Sequence, residues 1–168
     1  MNKTVAAFAA TFTALAMLPA AQAAEIVRHE NAGATPSPIA RAVEVPAGFR
    51  LIFHSGLVPQ PADPKAPQGS SQYWGNTKTQ SLSVLTRLQE SLKSIGLGFG
   101  DVVKMTVFLV GDPATGRMDF AGFMEAYLQY FATKEQPHRP ARSTVEVANL
   151  VSPGMLVEIE VILAKPEK

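Results

Sequence analysis

The chain has 168 residues, with 15 Lys and Arg against 14 Asp and Glu, and it contains no cysteine. This near-neutral charge, without a basic stripe, argues against nucleic acid as a partner, because clustered Lys and Arg supply most non-specific affinity for phosphates. The lack of cysteine excludes disulfides and a lipoprotein cleavage site, and the length fits one domain with a sizeable core.

The N-terminal segment, residues 1–23, has the pattern of a secretory signal peptide. Lys3 precedes an apolar run from Val5 to Leu18, and Ala21-Gln22-Ala23 is a small-x-small cleavage site. The run is shorter than the ~20 residues that a helix needs to cross a bilayer. We therefore expect cleavage after Ala23, a periplasmic or secreted mature chain, and no membrane anchor after cleavage.

Residues 24–37 form an extended polar lead-in without periodicity. Two strands are predicted at residues 42–45 and 49–54, with a turn at Pro46-Ala47-Gly48 between them. Residues 60–75 are rich in Pro, Gly and Ser and are predicted to form a surface loop. Tyr73 and Trp74 in this loop either line a pocket or, as we favour, plug the loop onto the domain.

Two helices and a strand follow. Asn76 or Thr77 is the predicted N-cap of the first helix, and Gly96 stands where a left-handed C-terminal residue belongs. Residues 102–110 are predicted to form a strand and residues 118–131 a second helix. The large side chains of that helix are interpreted as core and interface residues: Phe120, Phe123, Met124, Tyr127 and Phe131.

The last thirty residues contain two runs that alternate with period two, at residues 141–147 and 156–163. Period-two alternation predicts that Arg142, Thr144 and Glu146 share one sheet face. If the two strands are neighbours, Glu158 and Glu160 lie on that face as well. The face is then either a site for an anion beside a proton-handling carboxylate, or an ordinary solvated surface with cross-strand ion pairs.

The order of elements is strand, strand, helix, strand, helix, strand, strand. This order predicts an α+β fold, with a mixed sheet and two helices on one of its faces. A single helical layer leaves the other face to water or to a partner subunit.

Several segments together resemble the Rid family of reactive-intermediate deaminases, also known as YjgF-like proteins. They are Gly100-Asp101-Val102-Val103-Lys104, the Pro140-Ala141-Arg142-Ser143 element, the Glu158-Ile159-Glu160 ending and, earlier, His54-Ser55-Gly56. The similarity runs from about residue 38 to residue 165, so residues 38–168 are interpreted as one Rid-like domain.

The resemblance implies a chorismate-mutase-like fold, in which three sheets close into a barrel as a homotrimer with ligands in the clefts between subunits. It implies hydrolysis of 2-imino or enamino acids to 2-keto acids and ammonia, without a metal or organic cofactor. Arg142 corresponds to the residue that holds the substrate carboxylate, and Glu158 to the one that activates water. The implied substrate-binding residues are Ser55, Gly56, Ser143 and Thr144.

The sequence departs from the family pattern at four positions. Ile39, after Ser37-Pro38, stands where the family has an aromatic residue, and Leu57 replaces a Gln. Met124 replaces an Asn, and Thr144 stands where many relatives have Cys. The pocket is therefore expected to be more apolar than is usual in the family. A non-catalytic trimer that binds small carboxylates or apolar ligands is the alternative function, and a chaperone-like protein is a third without a sequence signal.

Overall fold

The computed structural model describes residues 25–33 and 35–167. The predicted signal peptide, residues 1–23, lies outside them. The strands are β1 (Val27–His29), β2 (Ala42–Glu44), β3 (Phe49–Leu57), β4 (Val102–Val110), β5 (Ala141–Val147) and β6 (Val157–Pro166). The helices are α1 (Ser71–Trp74), α2 (Thr77–Ser94) and α3 (Phe120–Tyr127), with a 3-10 turn at Phe99–Asp101.

The main sheet has the strand order β3-β6-β4-β5. Strands β4 and β5 are parallel, and the other pairs are antiparallel. The predicted mixed sheet is therefore confirmed. The assumption that the last two strands are neighbours is wrong, because β4 lies between β5 and β6. The unpredicted strand β1 pairs with β2 in a separate two-stranded sheet.

Helices α2 and α3 cover one face of the main sheet, as predicted, and the core lies between them and the strands. Asn76 caps α2 by accepting a hydrogen bond from the Thr79 amide at 3.0 Å, and Gly96 has a φ of 73° after the helix. Helix α3 begins later than predicted, because the Asp119 side chain caps it by accepting from the Gly122 amide at 2.8 Å, and it ends at Tyr127, four residues before the predicted end. The largest core side chains are Tyr127, Phe123, Phe131, Leu85, Leu88 and Leu92.

The loop over residues 60–75 is held to the domain by Trp74. This side chain is buried, and its indole Nε1 donates to the Pro153 carbonyl at 2.8 Å. The loop ends in the four-residue helix α1. The interpretation of Trp74 as a plug is therefore confirmed. Among residues 25–33 and 35–167, no helix is both long and apolar enough to cross a bilayer.

Candidate functional site

Arg142 lies on the face of the sheet that the helices cover. The strand register pairs Arg142 with Met105 on β4, and Met105 with Val161 on β6. Met105 and Val161 are core residues, and paired residues of neighbouring strands point to the same face. The guanidinium therefore projects toward α3 and away from the open face of the sheet.

Glu158 lies on the open face. Its register partner on β4 is Phe108, which in turn pairs with Val145 on β5. The residues beside Glu158 along β6, Val157 and Ile159, are fully buried against the helices. Because side chains alternate along a strand, the Glu158 carboxylate must project from the opposite face.

The prediction that Arg142, Thr144 and Glu146 share a face with Glu158 and Glu160 is therefore wrong. The first three do share a face with each other, as period-two alternation requires, but it is the face covered by the helices. The physical reason is the parallel pairing of β5 with β4, whose core residues fix the orientation of every β5 side chain.

Aromatic rings and one sulfur surround the guanidinium of Arg142. Its Cζ atom lies 4.4 Å from the ring centre of Tyr127, 5.0 Å from that of Phe123 and 5.8 Å from that of Phe120. Its Nη2 donates to the Met124 sulfur at 3.2 Å. Among the described residues, the buried Nη1 has no hydrogen-bond partner. A guanidinium held by ring faces but short of acceptors is well prepared to bind an anion.

Burial also shapes the electrostatics of this cluster. It lowers the pKa of Arg142, an effect that the nearby Tyr127 opposes, but a guanidinium stays charged at any physiological pH. Burial raises the pKa of Tyr127 to about 12, against the opposing positive charge of Arg142. The Tyr127 hydroxyl donates to the Pro38 carbonyl at 3.0 Å, so it ties the chain before β2 to the ring that supports Arg142.

The remaining predicted residues of β5 divide between the two faces. Thr144 lies on the face of Arg142, and its hydroxyl is buried without a partner in the described part of the chain. Glu146 accepts a hydrogen bond from the Met118 amide at 2.6 Å, so its carboxylate braces the loop before α3. Ser143 lies on the open face, where its hydroxyl accepts from Lys104 at 2.9 Å.

Gly56 and Glu158 are in direct contact on the open face. A Cβ atom built on Gly56 would overlap a carboxyl oxygen of Glu158 and lie 2.9 Å from its Cδ. The lack of a side chain at residue 56 therefore makes the room for the carboxylate. Ser55 precedes Gly56 at an irregularity in the register of β3 with β6 and is exposed. The structure thus brings Gly56 and Glu158 together, with Ser55 beside Gly56 in the chain.

Arg142 and Glu158 cannot meet at one ligand within a single chain. Through Met105 on β4, Arg142 is in register with Val161 on β6. Val161 is three residues from Glu158, which corresponds to about 10 Å along the strand. The two side chains also leave opposite faces. The chain therefore carries two candidate half-sites, one built on the guanidinium of Arg142 and one on the carboxylate of Glu158.

The sequence predicts core and interface roles for Phe120, Phe123 and Tyr127. It does not predict that these side chains contact Arg142. Their three- and four-residue spacing fits either role, and no sequence pattern reveals that α3 lies over β5. Of the departures expected to make the pocket apolar, Met124 touches Arg142, whereas Ile39 and Leu57 pack against the core. Within the described residues, no group of three or more His, Asp or Glu could hold a metal ion.

Comparison with known proteins agrees with this fold. The model of the family described as Endoribonuclease L-PSP matches residues 32–165. A RutC family protein of Pyrococcus horikoshii is 33% identical over 141 residues, which cover 84% of this chain and 98% of that protein. A candidate reactive intermediate deaminase of Escherichia coli, TdcF, is 30% identical over 141 residues, covering 84% of this chain and 97% of that protein.

Solved structures of the same kind superpose on the chain. A Rid family protein of Yersinia pestis has a TM-score of 0.60 at 25% identity, with 82% of this chain and 98% of that chain covered. Escherichia coli TdcF with bound serine has a TM-score of 0.53 at 30% identity, with 82% and 94% covered. With most of its length matched in sequence and in fold, the chain belongs to the Endoribonuclease L-PSP family, also known as the YjgF or Rid family.

Proposed function

We propose that this protein is an exported deaminase that hydrolyses 2-imino acids to 2-keto acids and ammonia in clefts between the subunits of a homotrimer. The observation that carries the proposal is the cage that Phe120, Phe123, Met124 and Tyr127 form around Arg142. In this cage the charged guanidinium has one thioether sulfur as hydrogen-bond partner, and its buried Nη1 has none among the described residues. A ligand carboxylate supplies the two acceptors that such a planar donor needs. Family membership and the serine bound to TdcF support a small carboxylate ligand.

The proposed reaction needs a group that binds the substrate carboxylate and a group that transfers protons. Arg142 holds the carboxylate, and Glu158 takes a proton from water as the water oxygen adds to the imine carbon. Glu158 passes this proton to the imine nitrogen, which gives a carbinolamine with a hydroxyl and an amino group on one carbon. Glu158 then takes the hydroxyl proton and delivers it to the amino group as the carbon–nitrogen bond breaks, so ammonia leaves and the 2-keto acid forms. These residues act without a metal or an organic cofactor.

A second subunit resolves the separation of the half-sites. The carboxylate and the imine carbon of a 2-imino acid are bonded neighbours, so they cannot span two faces of one sheet. If the open face of one chain packs beside the β5 edge of another, Glu158, Gly56 and Ser55 of one chain face Arg142 of the other. The apolar side chains exposed on the open face, among them Phe53 at 73%, favour such packing.

Mixing two inactive variants tests this arrangement. Arg142→Ala should weaken binding of a 2-keto acid at least about tenfold, and Glu158→Gln should lower imine hydrolysis about a hundredfold. When the two variants are co-expressed in equal amounts, about one quarter of the clefts in random trimers combine an intact Arg142 with an intact Glu158. Activity should recover to about that fraction.

The outcomes separate the candidate functions. The assay offers 2-iminopropionate generated in place and measures ammonia release. No recovery in the mixture would contradict a cleft that combines Arg142 of one chain with Glu158 of another. Unchanged turnover in both variants would overturn the roles assigned to Arg142 and Glu158. Ligand binding without turnover, lost in Arg142→Ala, would instead support the non-catalytic binding protein, which the apolar surroundings of Arg142 favour as the second candidate.

Export is proposed from residues 1–23, with their apolar run and the Ala21-Gln22-Ala23 tripeptide. The mature protein in the periplasm or medium should begin at Ala24, and mass spectrometry of its intact form measures this directly. Recovery of chains that retain Met1 in the cytoplasm would contradict export.

A further inference from the structure

The side chain that accepts a hydrogen bond from the Arg142 guanidinium is a thioether. The Met124 sulfur lies 3.2 Å from Nη2, and the side chain is only partly buried. Phe120 lies at the first turn of α3, 42% exposed, with its ring centre 5.8 Å from the Arg142 Cζ. Phe123 and Tyr127 are fully buried and form the back of the cage. Met124 and Phe120 therefore form its accessible rim.

This rim is apolar. A methionine sulfur is a weak acceptor and donates nothing, and a phenyl ring offers only its face and edge. A carboxylate bound by the Arg142 guanidinium from this rim brings the substituent on its neighbouring carbon against these two side chains. A hydroxyl on that substituent would lose its water without gaining a partner from either of them, whereas methylene groups would gain contact.

We infer that Met124, together with Phe120, selects acids with an apolar side chain of several carbons over acids with small or hydroxylated side chains. The inference rests on the proposed function, since it names the substrate class of the same site. Met124 is a specificity-determining residue in this view, and it takes no part in proton transfer.

The test compares the binding of 2-keto acids, the products of the proposed reaction, by calorimetric titration of the mature protein. Pyruvate, 2-oxobutanoate and 4-methyl-2-oxopentanoate form a series of increasing apolar length, and each added methylene that is buried should raise affinity about fourfold. Hydroxypyruvate and 2-oxobutanoate form a matched pair, because a hydroxyl replaces a methyl group. The wild type should bind 2-oxobutanoate the more tightly.

Two variants of similar size isolate the thioether. Met124→Gln introduces an amide, so it should reduce the gain along the series and narrow or reverse the preference within the matched pair. Met124→Leu keeps the wall apolar, so it should retain both. Equal affinity of the wild type for pyruvate and 4-methyl-2-oxopentanoate would overturn the inference, and so would an unchanged selectivity in Met124→Gln.

Failure of the inference and failure of the proposed function look different in this experiment. If every acid binds equally and Arg142→Ala abolishes binding, the carboxylate site stands and only the selectivity is refuted. If no acid binds at all, both proposals are overturned.

Discussion

On the helix-covered face of the main sheet Met105, Val107 and Ile159 are fully buried, whereas Phe53 on the opposite face is 73% exposed. One chain thus provides the cover for one face and leaves the other open. The candidate functional groups follow the same division. Arg142 lies on the covered face, and Glu158 lies on the open face. We therefore expect substitutions on the covered face to change the stability of the chain, and substitutions on the open face to change the proposed assembly.

The first prediction concerns a buried polar brace at the covered side. The Gln80 side chain is fully buried, donates to the carbonyls of Gly75 and Gly154 at 3.0 Å each, and accepts from the Leu156 amide at 2.7 Å. Gln80→Ala leaves three backbone groups without partners, so the free energy of unfolding should fall by at least about 3 kcal/mol. Urea denaturation measures this loss.

Gln89→Ala is the matched control, because Gln89 is an exposed residue of the same helix. It should change the unfolding free energy by less than about 0.5 kcal/mol. Equal losses in the two variants would show that the hydrogen bonds of Gln80 contribute little.

The second prediction concerns the open face. Phe53→Glu puts a charge where we propose that a partner subunit packs, and the lost apolar burial alone corresponds to about 1.5–3 kcal/mol. The dissociation constant of the assembly should therefore rise about a hundredfold, while the fold of the single chain is retained. Light scattering over a concentration series measures the mass, which should fall from three chains to one.

Val151→Glu provides the comparison, since Val151 is 78% exposed but lies outside the strands. It should leave the assembled mass unchanged. A monomeric wild type, or an equal effect of both substitutions, would contradict the assignment of the open face as the subunit interface.

The sequence predicts the strands and helices of this structure better than it predicts which face of the sheet each side chain occupies. Periodicity and capping residues predicted β4, an N-cap of α2 at Asn76 or Thr77, and the single helical layer, because these follow from local pattern. Alternation in β5 correctly grouped Arg142 with Thr144, but a pattern of period two does not say which face the group occupies. That depends on β4 lying between β5 and β6, a non-local pairing that the sequence of β5 does not encode.

The contacts of the two candidate half-sites also depend on pairings between distant parts of the sequence, which local patterns do not predict. The contact of Gly56 with Glu158 joins β3 and β6 at an irregular register, and the aromatic cage joins α3 to β5. Resemblance to a family identified Arg142 and Glu158 as candidates. Only the strand order revealed that they cannot meet within one chain.

The third prediction uses the raised pKa of Tyr127 in the covered cage. Below pH 10 the phenol is protonated in both the folded and the unfolded chain, so its contribution to stability is fully present. As the pH rises from about 10 toward the folded pKa of about 12, the unfolded chain loses the proton first. Stability should therefore fall by up to about 1.4 kcal/mol per pH unit from this group.

Urea denaturation at several pH values between 9 and 11.5 measures the slope. Tyr127→Phe should remove this part of the slope, although it also loses the hydrogen bond to Pro38 at every pH. Phe123→Leu is the control for a core change beside Arg142 without a titrating group, and it should lower stability equally at every pH. An identical slope in wild type and Tyr127→Phe would contradict the prediction.

The fourth prediction concerns Gly56 on the open face, where adding a single methyl group would affect the contact with Glu158. Gly56→Ala adds a methyl group that would overlap the Glu158 carboxylate, so the carboxylate must rotate away. Gly56 is not among the glycines with positive φ, so its backbone accepts alanine without strain. Turnover should fall about tenfold, as expected when a general base is misplaced, while 2-keto acid affinity and stability change little.

Gly98→Ala separates this effect from glycine substitution in general. Gly98 also lacks a positive φ, and a Cβ there meets nothing within 4 Å, so the variant should retain full turnover. If Gly56→Ala weakens 2-keto acid binding as strongly as Arg142→Ala does, residue 56 supports the anion half-site instead of the base. If turnover is unchanged, the position of the Glu158 carboxylate does not limit the reaction, and the proton transfer must be assigned to another group of the open face.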